Sequence, residues 1–285
     1  MKIKDILAQE RPSVSFEVFP PRKDAPFEPV KDAVAQLAQE QPSFMSVTYG
    51  ASGNAQANTA TIASFVQACG VPALAHLTCL TATRESIESE ADALRRAGIE
   101  NVLCLRGDLP KDASEPPPGN FSHAVDLVRA LHGSGFCLGG ACYPECHPES
   151  ENKVSDMKGL KAKVDAGAEV LVSQLFFENQ KFYDFQERCR IAGIEVPLIP
   201  GIMPVINANQ IKRMISLCNA SFPERFCRII RRYENNSEAL FDAGMSYCLS
   251  QIIDLIADGI PGIHLYTMNN PKVARRICDG IRNLV

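Results

Sequence analysis

The segment Ala97-Gly98-Ile99-Glu100-Asn101-Val102-Leu103-Cys104-Leu105-Arg106-Gly107-Asp108 holds, in order, a helix stop, a strand and a charged strand end. Glycine just past a last helical turn takes the left-handed conformation that ends a helix, so Ala97-Gly98-Ile99 reads as a junction from helix to strand. Val102 to Leu105 has the short, wholly apolar character of a parallel strand buried on both faces. Arg106, Gly107 and Asp108 then fall just beyond its carboxyl end, where barrels and open α/β sheets hold their ligands. Glycine there lets a ligand approach the backbone, and the flanking charges can bind or neutralise it. The stretch predicts a site.

The same junction recurs at Cys69-Gly70-Val71, Ser134-Gly135-Phe136, Ala166-Gly167-Ala168, Ala192-Gly193-Ile194 and Asp258-Gly259-Ile260. It introduces strands over Ala73 to Thr78, Asn101 to Arg106, Cys137 to Tyr143, Val170 to Gln174, Pro197 to Gly201 and Gly262 to Tyr266, preceded by Val14 to Phe19 and Phe44 to Thr48. Between them apolar residues return at helical spacing, as in Ile87, Ala91, Leu94 and in Val154, Met157, Leu160, Val164. Most strands follow one another at about thirty residues, the repeat of a β/α unit that closes as a TIM barrel. The fold class predicted is therefore α/β, a (β/α)8 TIM barrel, with extra helices in Asn219 to Asp258 between strands 7 and 8; an open doubly wound sheet is the alternative.

A chain of 285 residues, 46% hydrophobic and 22% charged, can bury a substantial core. Its net charge of -4 argues against coating nucleic acid or an anionic membrane, which takes clustered positive charge. Met1 to Arg11 alternates charged and apolar residues without a leader-like apolar stretch, and no apolar run looks long enough to span a bilayer, which makes the cytoplasm the expected location. Eleven cysteines, most inside apolar segments, read as reduced, buried thiols and not as a disulfide framework.

On a barrel the carboxyl strand ends converge on one mouth, and here they carry Glu17, Thr48, His76, Arg106 with Asp108, Tyr143 with His147, Gln174, Gly201, and Tyr266 with Asn269. Glu17 lies within an apolar strand, where desolvation can fit a carboxyl for proton donation; pairing with Arg22 is the competing reading. His76, alone in an apolar run, is by itself more often a core residue than a catalyst. Cys142, Cys146 and His147 are all zinc-ligand types, which raises a zinc-dependent transferase as a rival, but their spacing is not that of a zinc site. Neither a Rossmann nor a P-loop motif is present, so phosphates would fall to barrel loops and isolated bases such as Lys163.

Taken in series, Phe16 to Arg22 (FEVFPPR), Ser46 to Ala51 (SVTYGA), Leu105 to Pro110 (LRGDLP), Ala141 to Glu149 (ACYPECHPE), Asp165 to Glu169 (DAGAE), Ser173 to Phe177 (SQLFF), Pro200 to Val205 (PGIMPV) and Pro261 to Asn269 (PGIHLYTMN) resemble the methylenetetrahydrofolate reductases, in their short bacterial form. The resemblance implies that residues 1–285 form a single FAD-binding TIM-barrel domain. NADH or NADPH would reduce the noncovalent FAD, which would then reduce 5,10-methylenetetrahydrofolate to 5-methyltetrahydrofolate in ping-pong fashion, supplying methyl groups for methionine synthesis or one-carbon metabolism.

It further implies Glu17 as general acid and Asp108 as the carboxylate facing the ring-opened cation and tuning the flavin. Thr48, Tyr49, Ala51, His76, Arg106, Gly107, Asp108, Ala124, Tyr143, His147, Asp156 and Lys163 would contact FAD. Asp108, Gln174 and Gln210 would contact folate or nicotinamide. No metal is implied, a homo-oligomer is expected, and a partner subunit that supplies electrons is left open. Four positions depart from the family pattern: Gly159 and Ala162 replace an asparagine and a basic residue toward the FAD phosphates, Met214 a stacking phenylalanine, and Asn270 an arginine that meets the folate tail. A non-catalytic scaffold subunit is the further alternative that these departures raise.

Overall fold

The computed structural model describes residues 1–21, 25–49, 55–108, 121–207, 210 and 220–285. Nine strands form one sheet: β1 (Ser13–Val18), β2 (Phe44–Val47), β3 (Ala73–Thr78), β4 (Asn101–Leu105), β5 (Cys137–Cys142), β6 (Val170–Ser173), β7 (Leu198–Ile199), β8 (Gly201–Ile202) and β9 (Gly262–Leu265). All pairings are parallel. The helices described are α1 (Ile3–Leu7), α2 (Glu28–Ala38), α3 (Ala55–Ala68), α4 (Arg84–Arg96), α5 (Ala124–Leu131), α6 (Lys153–Asp165), α7 (Asn179–Ile191), α8 (Glu224–Tyr233), α9 (Ser237–Ala257) and α10 (Pro271–Ile281). The six junction glycines, 70, 98, 135, 167, 193 and 259, all have φ between +68° and +119°, the left-handed stop that the sequence predicts.

Strand order is β7-β6-β5-β4-β3-β2-β1-β9-β8, and the two outer strands are separated in the chain by Pro200 alone. Leu198 and Ile199 pair with Leu171 and Val172 of β6, whereas Gly201 and Ile202 pair with His264 and Leu265 of β9. The sheet therefore closes through a single segment that changes partner at its proline. The seventh strand expected over Pro197 to Gly201 is thus two short ones. Pro200 has no N–H to give a ladder, but its carbonyl still accepts from His264 N at 2.9 Å. Of the other predicted strand ends, Thr78 coincides with the end of β3, and Phe19, Thr48, Arg106, Tyr143, Gln174 and Tyr266 each fall one residue past the ladder and open the mouth loops.

Packing between strands and helices forms the main core around Phe16, Val18, Met45, Leu77, Val102, Ile263 and Leu265. A second cluster fills the opposite end of the barrel's interior, where Ile3, Ile6 and Leu7 of α1 pack on Phe44, Leu74, Leu103, Val170 and Ile199. Asn101 fastens this plug: its Oδ1 accepts from Ile3 N at 2.8 Å and its Nδ2 donates to the Met1 carbonyl at 3.1 Å. The inserted segment forms α8 and α9. By length and composition α9 is apolar enough to cross a membrane, contrary to the expectation from sequence. Its Leu240, Met245, Cys248, Ile252 and Leu255 are instead buried in the fold, and Gln251 donates to the Phe176 carbonyl at 3.0 Å.

Candidate active site

Strand parity decides what faces the barrel interior, because successive side chains point to opposite faces. On β1 the outward Phe16 and Val18 join the helix-facing core, and the intervening Ser15 and Glu17 point inward. Glu17 pairs in register with Ser46 of β2, and Ser15 with His264 of β9. Glu17 is only 8% exposed. Its Oε2 lies 3.4 Å from Ser46 Oγ, 3.7 Å from His76 Nε2 and 3.8 Å from His264 Nε2. Its partners are thus inside the barrel, while Arg22, the partner considered from sequence, lies outside the described residues. Just beyond Glu17 the backbone is clamped from β9. Thr267 Oγ1 donates to the Glu17 carbonyl at 3.1 Å, and the Asn269 amide bonds both Phe19 N and Phe19 O, at 2.8 and 2.9 Å.

His76 is 6% exposed, and its Nε2 is buried with no hydrogen-bond partner. Burial pushes its pKa down to about 4, against the opposing pull of Glu17, so the ring is neutral at pH 7. A buried polar nitrogen without a partner is uncommon in a native fold and fits a site that receives a polar ligand.

At the end of β4, Arg106 forms a bidentate pair with Glu149, with Nη2 2.8 Å from Oε1, which ties the β4 loop to the β5 loop. Hydrogen bonding to Glu149 raises the Arg106 pKa. Gly107 has φ +87°, and a Cβ there would lie 3.0 Å from Thr78 Cβ, so the backbone is bare and closely seated. Asp108 beside it is exposed. The β5 loop sets Tyr143 edge-on against His147 at 4.6 Å between centroids, and burial pushes the Tyr143 hydroxyl up to about 12. Glu149 N donates to His147 Nδ1 at 3.1 Å.

Lys163, on α6, reaches the Ala141 carbonyl at the end of β5 at 2.6 Å, and burial lowers its pKa. On the same helix Asp156 accepts from Ser150 Oγ at 3.3 Å. Ala124 is the first residue of α5, whose preceding His123 carbonyl accepts from Cys79 Sγ after β3. Thr48 bonds back to β1 through its N–H, to Val18 O at 3.0 Å.

Gln174 folds its own Oε1 onto Leu175 N at 2.9 Å, which leaves the amide NH2 to donate. Gln210 does likewise, accepting from Ile206 N at 3.0 Å and Asn207 Nδ2 at 3.2 Å. Ala51 and Met214 lie outside the described residues. Asn270 caps α10, accepting from Lys272 N at 3.1 Å, and Gly159 sits exposed with open space around it.

The donor set fits a ring system with an anionic linker: a neutral orphaned imidazole, flat side chains, two cations and a bare glycine backbone. Among the described residues no group of three or more metal-ligating side chains occurs. Cys142 is buried instead with Met157, Leu160, Leu171 and Phe185 behind the sheet.

Sequence reasoning missed Ser15, Ser46 and His264 as site residues. The available signal was polar side chains in apolar strands that share an inward face with Glu17. It also missed Glu90 of α4, which lines a cavity of about 220 Å³ with Tyr49, Thr59 and His76. Tyr49 Oη donates to Glu90 Oε1 at 3.4 Å, and burial lifts the carboxyl from 4.5 to about 7. Between those values the folded state holds more protons than the unfolded, so stability falls as pH rises from 4.5 to about 7 and then levels. Glu90→Gln is expected to remove that fall, about 2–3 kcal/mol, checked by denaturant titrations at pH 5 and 8.

The family model for methylenetetrahydrofolate reductase matches residues 2–282, a span that includes every strand of the barrel. The chain belongs to the methylenetetrahydrofolate reductase family. It is 35% identical to 5,10-methylenetetrahydrofolate reductase of Pectobacterium carotovorum subsp. carotovorum, over 96% of this chain and 92% of that one. It is 36% identical to methylenetetrahydrofolate reductase (NADH) 1 of Arabidopsis thaliana, over 96% of this chain but only 49% of that protein. A solved structure from Clostridium thermocellum, described as binding two copies of 5-methyl-5,6,7,8-tetrahydrofolic acid, superposes with a TM-score of 0.71 at 13% identity, covering 100% of this chain and 99% of its own. That likeness shows the barrel fold alone.

Proposed function

We propose that this chain reduces 5,10-methylenetetrahydrofolate to 5-methyltetrahydrofolate with electrons from NADH or NADPH, passed in ping-pong order through noncovalently bound FAD. The observation that carries the reading is Glu17, a carboxyl buried at the mouth end of β1 among hydroxyl and imidazole groups, in a chain whose family membership spans the whole barrel. When bound, the flavin supplies hydride exchange between nicotinamide and folate. Glu17 supplies the proton that opens the folate's five-membered ring, and the Asp108 carboxylate faces the positive charge that opening creates. Gln174 and Gln210 present amide NH2 groups to folate or nicotinamide. Thr48, Tyr49, Ala51, His76, Arg106, Gly107, Asp108, Ala124, Tyr143, His147, Asp156 and Lys163 hold FAD, with Arg106 and Lys163 nearest in character to what a diphosphate needs.

The relative from Pectobacterium is named for this substrate, the one from Arabidopsis for NADH, and the Clostridium structure's description names the methylated folate. On this reading residues 1–285 act as one domain, working in the cytoplasm as a homo-oligomer and supplying methyl groups for methionine synthesis. The test is an absorbance spectrum. Purified protein is expected to be yellow, to bleach under anaerobic NADH or NADPH and to recover its colour on adding 5,10-methylenetetrahydrofolate. A colourless protein that takes up no FAD overturns the proposal.

A further inference from the structure

The hydrogens around His264 can be assigned one by one. Ser15 has a single hydroxyl proton, and it goes to the Ile263 carbonyl at 2.9 Å. The 2.8 Å contact between Ser15 Oγ and His264 Nδ1 is therefore made by an Nδ1–H donating to oxygen. In the neutral ring Nε2 is then bare, and it faces Ser46 Oγ at 3.1 Å and Glu17 Oε2 at 3.8 Å. Ser46 also has one proton and two takers, His264 Nε2 and, at 3.4 Å, Glu17 Oε2. His264 is 1% exposed and stacked on Phe44 at 5.9 Å, so neither water nor ring rotation readily blurs the choice.

Resting on the reading of Glu17 as the acid, we infer that Ser46 and His264 are positioning residues that form a rotor for the Glu17 proton. While Glu17 rests as a carboxylic acid, its O–H points to Ser46 Oγ and the Ser46 hydroxyl points to His264 Nε2. When folate binds, the carboxyl O–H turns from Ser46 to the folate nitrogen, and as the proton leaves the O–H bonding pair stays on the carboxylate. Ser46 then turns about Cβ–Oγ to donate to Oε2, giving up its hydrogen bond to His264 Nε2, and no covalent bond changes. Water returns the proton to Glu17 after the product departs. A charge-assisted hydrogen bond thus forms as the carboxylate forms, the condition for favouring the transition state over the ground state. Among the described residues the groups facing Glu17 are Ser46 of β2, His76 of β3 and His264 of β9; those facing His264 are Ser15 and Glu17 of β1, Phe44 and Ser46 of β2 and Tyr266 just past β9.

The experiment compares Ser46→Ala and Glu17→Gln holoenzymes with the parent in the folate half-reaction between pH 6 and 9. Ser46→Ala is expected to slow it about 10–100-fold, the worth of a hydrogen bond to a charged group. The loss should fall on the folate half-reaction alone, with flavin reduction by the nicotinamide within about twofold of the parent. A Ser46→Ala enzyme that keeps its folate rate within about twofold of the parent, or that loses both half-reactions alike, overturns the rotor while leaving the function intact, provided Glu17→Gln still loses folate reduction. If Glu17→Gln keeps it, the reading of Glu17 falls and the rotor with it. A second readout needs no activity. Nitrogen NMR of histidine-labelled parent protein should show His264, assigned by its absence in His264→Gln, with its proton on Nδ1 and Nε2 bare. A proton on Nε2 instead overturns the inference.

Discussion

Glutamine in place of Glu17 is expected to slow folate reduction by about 10²–10⁴-fold, the range for losing a positioned general acid. Flavin reduction by the nicotinamide is expected to stay within about twofold of the parent, because no proton from this side chain enters that step. Glutamine matches glutamate in shape, and its surroundings are hydroxyl and imidazole groups that can bond an amide: Ser46, His76 and His264, all within 3.8 Å of Oε2. The barrel should therefore hold, and the loss should sit in the step that needs an acid, appearing in kcat and kcat/KM together with KM little changed. Stopped-flow measurement of the two half-reactions separates these outcomes. Equal loss in both would mean that Glu17 shapes the flavin site and does not deliver the proton.

Much of the architecture is legible because it rests on local signals. Each of the six junction glycines needs φ > 0 whatever surrounds it, and each strand is a short apolar run bounded by turn chemistry. The parts that are not legible depend on distant neighbours. Helix α1 is five residues long, too short to show a period, and is held by distant partners: the strand residues its apolar face packs on, and Asn101, about a hundred residues away, which bonds its first N–H. Pro200 looks like an ordinary strand residue until the sheet closes and the chain must pass from β6 to β9. Glu149 reads as a loop carboxylate but engages Arg106 from across two loops.

At the candidate site, Glu17, His76 and Gln174 announce themselves as polar residues ending or interrupting apolar runs. Ser15 and Ser46 are small enough to pass as filler. His264 sits in a strand followed by Tyr266 and Asn269, which draw the eye toward the mouth. What makes His264 a neighbour of Glu17 is register, Ser15 opposite His264 and Glu17 opposite Ser46, and register between strands nearly 250 residues apart has no local signature.

Gly201→Ala is expected to lower stability by about 3–4 kcal/mol, from overpacking plus a lost buried hydrogen bond. For a chain of this size that is a fall of roughly 10 °C in Tm. Gly201 stands where the barrel closes, with its N–H donating to Ser173 Oγ at 2.9 Å. The space a side chain would take is used by Tyr266, whose hydroxyl donates to the Ser173 carbonyl at 2.8 Å. An added Cβ would lie 2.3 Å from that carbonyl oxygen and 2.6 Å from the Tyr266 hydroxyl. The ring can swing away, but the carbonyl is backbone of β6 and can move only if the seam opens. Removing the ring as well, in Gly201→Ala with Tyr266→Ala, should therefore restore little of the loss. Thermal melts of the two variants decide it: a Gly201→Ala protein melting within about 3 °C of the parent would mean a loss of only about 1 kcal/mol. β6, β8 and β9 would then be packed loosely enough to absorb a methyl group, and the closure would not depend on a bare backbone at this position.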